Sequence, residues 1–113
     1  MQRIRVRSQR KPRQSESDRL CKLYVDDVRR FDVVREVRVH EGEDSIMIWT
    51  LISAPPFEDE LREPIYDAQI NVLLEATKAN IDFRVVNLEE YPVEALDGVI
   101  PTDSKVIWNR DIA

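Results

Sequence analysis

Three acids, Glu43, Asp44 and Asp82, come nearest to a reactive constellation in this sequence. Carboxylate oxygens hold hard cations such as Mg²⁺ or Ca²⁺, and a metal held by several acids can activate a nucleophile or steady a leaving group. Glu41, Glu43 and Asp44 share one turn, and a second cluster, Glu58, Asp59, Glu60 and Glu63, lies further along. Chain order alone does not bring the two clusters together. The second is explained by compensation of a helix dipole at its N-terminus. His40 is the sole histidine and Cys21 the sole cysteine, which excludes multi-histidine and zinc sites. Cys21, with no histidine nearby, reads as a packed or half-exposed thiol. The glycines are Gly42 and Gly98 alone, so neither a phosphate-binding loop nor a dinucleotide fingerprint can form. No Gly-x-Ser-x-Gly elbow occurs. The sequence therefore assigns no catalytic residue and no cofactor. Glu43, Asp44 and Asp82 stand as metal ligands only if the chain is an enzyme.

Charge is distributed unevenly. Arg3, Arg5, Arg7, Arg10, Lys11 and Arg13 put six positive charges, and no acid, into residues 1–14. All 22 carboxylates follow, against 11 lysines and arginines, so the remainder carries −11 and the whole chain −5. The basic arm has three readings. It can be a tail that folds back onto its own acidic body. It can contact nucleic acid, because cations that neutralise phosphates release counterions. Or it can be an edge strand, since Arg3-Ile4-Arg5-Val6-Arg7 alternates strictly. It lacks an aromatic residue for base stacking.

The elements that would position these residues follow from periodicity. Ser15 or Ser17 can cap a helix in which Leu20, Tyr24, Val28 and Phe31 form one apolar stripe, widened by Leu23. Residues 33–39 alternate as an outer strand, with Val33, Val37 and Val39 on one face and Val34, Glu36, Arg38 and His40 on the other. Gly42 supplies the positive φ of a tight turn. Residues 46–52 are apolar on both faces and read as a central strand. There Trp49 is a core residue whose indole N–H finds a carbonyl. Pro55 and Pro56 end that strand.

A helix from Pro64 to about Ala79 packs Ile65, Ala68, Val72, Leu73 and Ala76, with Ile70 and Leu74 broadening the packed side. Residues 58–62 form either a separate turn or the start of a kinked helix. Strands at 82–88 and 106–108 close the pattern. A chain of 113 residues supports one domain. The expected fold is α/β (α+β): a mixed or antiparallel sheet of three to five strands with helices packed on it, over residues 15–113. The order is helix, hairpin, helix, strand, strand, preceded by the arm.

That order resembles the minimal stand-alone nucleotidyltransferase-like domains of antitoxin type. The family carries Gly-Ser at the end of a strand, an Asp-x-Asp pair opening the next, and a third acid on the strand after the long helix. In Asp44-Ser45-Ile46 the first acid is matched by Asp44 and the second is replaced by Ile46. The first strand ends in His40-Glu41-Gly42, and Asp82 begins its strand instead of sitting within it. The resemblance spans residues 17–88 in layout and Asp44 alone in motif, which implies a fold with its transfer activity lost.

The function expected from sequence is a non-catalytic binding or regulatory module acting through protein–protein contacts. Its partner is an unidentified protein or a second copy of the chain. The alternatives are a divergent metal-dependent enzyme and a nucleic-acid contact through the arm. One cysteine and no apolar leader fit a cytoplasmic location. The apolar stretch of residues 46–52 is too short to cross a bilayer, so no membrane role is expected.

Overall fold

The structure is a computed structural model that describes residues 16–56, 58–76 and 80–111. The basic arm and its six cationic residues lie outside this range. Helix α1 occupies residues 16–28 and is followed by β1 (Val34–Glu41) and β2 (Ile46–Ile52). A 3₁₀ turn (Asp59–Leu61) leads into α2 (Glu63–Glu75). Then come β3 (Ile81–Asn87), a second 3₁₀ segment (Val93–Gly98) and β4 (Lys105–Asn109). The four strands form one mixed sheet in the order β3-β2-β1-β4, with β2 and β3 parallel and the other pairs antiparallel. This is the expected α+β fold. No helix among the described residues is long and apolar enough to cross a membrane.

Both helices pack on one face of the sheet. Leu20, Tyr24 and Val28 of α1 and Ile65, Ala68 and Val72 of α2 join Val37, Val39, Ile48 and Ile52 in a single cluster. Each of the valine, leucine and isoleucine side chains among them contributes about 1.5–3 kcal/mol by leaving water. One polar network ties the layers. The Tyr24 hydroxyl lies 2.5 Å from Thr50 Oγ1 on β2 and accepts a hydrogen bond from Gln69 Nε2 on α2 at 3.3 Å. The other face carries a smaller cluster, in which Leu96 and Ile100 cover Trp49, Leu51 and Val86. Strand β2 is therefore apolar on both faces because it is covered on both.

Two side-chain clamps close the loops. Asn87 is buried; its Nδ2 donates to Ala54 O at 2.9 Å, and its Oδ1 accepts from Ala54 N and Glu89 N. The two strand ends that lead out of the parallel pair are thus held together. Arg110 donates to the carbonyls of Arg29, Phe31 and Val34 at 2.9–3.0 Å and stacks over Trp108. It thereby satisfies carbonyls where α1 runs out into β1.

Several expectations are corrected. Strand β1 lies inside the sheet, between β2 and β4, so its alternation records one polar face and no free edge. Its pairing with β2 shifts between Val34 and Glu36, and this bulge brings Val34 into the same core cluster as Val37 and Val39. Gly42 closes its turn by donating to Ser45 O at 2.8 Å, without left-handed backbone. Trp49 is buried as expected, but its Nε1–H meets no acceptor among the described residues. Residues 59–61 form their own turn, so α2 begins at Glu63 with Pro64 in its first turn, where a missing N–H costs nothing. The helix ends at Glu75, with Ala76 already extended.

Candidate functional site

The acids singled out by sequence do not assemble. Glu43 and Asp44 are exposed in the β1–β2 turn. Asp82 is the second residue of β3, paired in register with Met47, and its carboxylate is held by Arg84 at 3.0 Å. Among the described residues no group of three His, Cys, Asp or Glu side chains could hold a metal ion.

The histidine and the cysteine, by contrast, line one cleft. α1, the end of β1 and the start of β4 enclose a cleft of about 700 Å³, lined in part by Cys21, Val39, His40, Glu41, Asp103 and Lys105. His40 Nδ1 lies 3.2 Å from Asp103 Oδ1, so the imidazole is oriented by a carboxylate. Ser17 donates to Glu41 at 2.7 Å on the same side. Burial, then the charges of Glu41 and Asp18, push the Cys21 thiol up to about 11 from an ordinary 9.0. A nucleophilic cysteine needs the reverse, a thiolate at neutral pH. The cleft offers an oriented base and no activated nucleophile. Sequence spacing concealed this pairing, because His40 and Asp103 are brought together only by the β1–β4 ladder.

The strongest surface feature lies on α2. Its inner side is set by Ile65, Ala68 and Val72, all buried. At 3.6 residues per turn, Tyr66, Ile70, Leu73 and Leu74 fall on the opposite side. They are 44, 54, 46 and 77% exposed. Ile70, Leu73 and Leu74 were expected to pack; the sheet is already covered by the inner residues and has no room for a second apolar face. Leu23 on α1 is likewise exposed where it was expected to widen the packed stripe.

The surroundings of this ridge are acidic. Residues 58–75 hold Glu58, Asp59, Glu60, Glu63, Asp67 and Glu75 against one base, Arg62. Arg62 is already shared between Asp59 at 3.9 Å and Glu90 at 4.0 Å. Glu75 faces Arg19 of α1 at 3.7 Å. Glu63 and Asp67 border the ridge and pair with no cation among the described residues. Compared with protein-family models, with curated proteins and with solved structures, the chain matches none.

Proposed function

We propose that this chain is a binding module that works through protein–protein contacts and docks its partner on the outer face of α2. The observation that carries this reading is the ridge of Tyr66, Ile70, Leu73 and Leu74. Single exposed apolar residues are ordinary on protein surfaces, whereas four large ones aligned over about two helical turns mark a contact site. The ridge costs solubility and adds nothing to the internal core, which α2 already completes from its other side. The cleft beside His40 supports catalysis less well, because its thiol is held protonated.

The test uses two full-length variants, one with Ile70→Ser and Leu74→Ser together, the other with Lys105→Glu in the cleft. A protein co-purifying with the wild type is identified, produced separately and titrated against all three. The reading expects the ridge variant to lose at least about thirtyfold in affinity and the cleft variant to bind as the wild type. Loss in the cleft variant alone would move the binding site to the cleft.

A further inference from the structure

Resting on the reading of α2 as the docking face, we infer that its occupant is an amphipathic α-helix whose apolar stripe is flanked by lysine and arginine.

The helical form follows from backbone chemistry. The ridge sits on a helix whose N–H and C=O groups are spent internally, so it offers a partner no backbone hydrogen bonds. An extended peptide laid along it would bury its own amides without acceptors, which is unfavourable. A helix arrives with those groups already paired. The exposed residues at positions 66, 70, 73 and 74 recur at four, three and one, the spacing of ridges that a second helix can interlock with.

The charge follows from the rim. Six acids and one arginine leave residues 58–75 at −5, as large as the net charge of the whole chain. That arginine is engaged by Asp59 and Glu90. A second copy of the chain, packed α2 to α2, would bring Glu63 and Asp67 against an equally acidic rim and forgo the charge complementarity that a basic partner offers. A partner with basic flanks meets Glu63 and Asp67 with opposite charge. Its cations are expected beside the N-terminal half of α2, and its largest apolar residues beside Leu73 and Leu74.

The experiment titrates three labelled synthetic helical peptides into the full-length protein by fluorescence anisotropy. The peptides share one leucine stripe and are flanked by lysine and arginine, by glutamine, or by glutamate. The expected order of affinity is basic, then neutral, then acidic, with steps of roughly three- to tenfold that shrink as salt rises from 50 to 500 mM. Glu63→Gln together with Asp67→Gln should cut the preference for the basic peptide severalfold while leaving the neutral peptide unchanged. Both positions are exposed, so these variants fold, which circular dichroism verifies. Equal affinity for all three peptides, lost in Ile70→Ser with Leu74→Ser, overturns the charge inference and leaves the docking face standing. Binding indifferent to Ile70→Ser with Leu74→Ser defeats the docking face itself. A dimer in light scattering that the same two substitutions dissolve gives the face to a second copy and overturns the inference.

Discussion

Replacing Tyr24 by Phe removes one oxygen from the junction of α1, β2 and α2 and leaves the ring in place. Tyr24 and Thr50 are both fully buried, and their hydroxyls lie 2.5 Å apart. Gln69 is half-buried and can turn its amide to water, so its loss is small. Thr50 cannot, and an unpaired buried hydroxyl costs about 1–3 kcal/mol. Tyr24→Phe should therefore destabilise by about 1–2 kcal/mol and lower the melting point by roughly 5–10 °C. Thr50→Val leaves the tyrosine hydroxyl its bond to Gln69 and should cost about 1 kcal/mol. The double variant should be only slightly worse than Tyr24→Phe alone, giving a coupling of about 1 kcal/mol. Urea unfolding followed by circular dichroism reads these values from the midpoint at constant slope. A Tyr24→Phe effect under about 0.3 kcal/mol, or strict additivity of the pair, would refute the network.

Opposite faces of α2 should respond oppositely: Val72→Ala should cost about 2 kcal/mol and Leu74→Ser less than about 0.5, and thermal melts of the two variants check this. Asn87→Ala should cost about 2–3 kcal/mol and quicken amide exchange at Ala54 and Glu89, whose N–H groups it holds, as hydrogen exchange can follow. Cys21, with its thiol pushed from 9.0 to about 11, should alkylate near pH 8 about a hundredfold more slowly than an unperturbed thiol, and iodoacetamide kinetics measure this. Burial raises Cys21 and Tyr24 alike, so the folded state holds protons that the unfolded chain releases. Their contribution is fully present below pH 9.0; it falls as pH rises from 9.0 towards about 11 for Cys21, and as pH rises above 10.0 for Tyr24. Melting points across that range should decline, and Cys21→Ala should flatten the first part of the decline.

Periodicity made the two helices, the hairpin and the doubly apolar β2 legible, because each has a repeat that local geometry dictates. It failed where a repeat has two physical meanings. Apolar residues on both sides of α2 read as one broad packed face; burial chose Ile65, Ala68 and Val72 and left Ile70, Leu73 and Leu74 outside. Alternation in β1 read as an edge strand, and only the later pairing of β4 placed it inside the sheet. The bulge that turns Val34 inward leaves no mark in composition. The cleft was hidden for a similar reason, since Cys21, His40 and Asp103 are apart in sequence and come to line one cleft only through the tertiary fold. The acids Glu58, Asp59, Glu60 and Glu63 are plain in the sequence, where helix-dipole compensation accounts for them; only the exposed ridge beside them gives them a second role.

Docking of a partner helix on the outer face of α2 can be observed directly. A ¹⁵N-labelled sample of the full chain, titrated with the lysine- and arginine-flanked peptide, tests it by amide chemical shifts. Saturable shifts are expected in residues 63–75, strongest around Tyr66, Ile70, Leu73 and Leu74. Shifts gathered around His40 and Asp103, with α2 unmoved at peptide saturation, would contradict it.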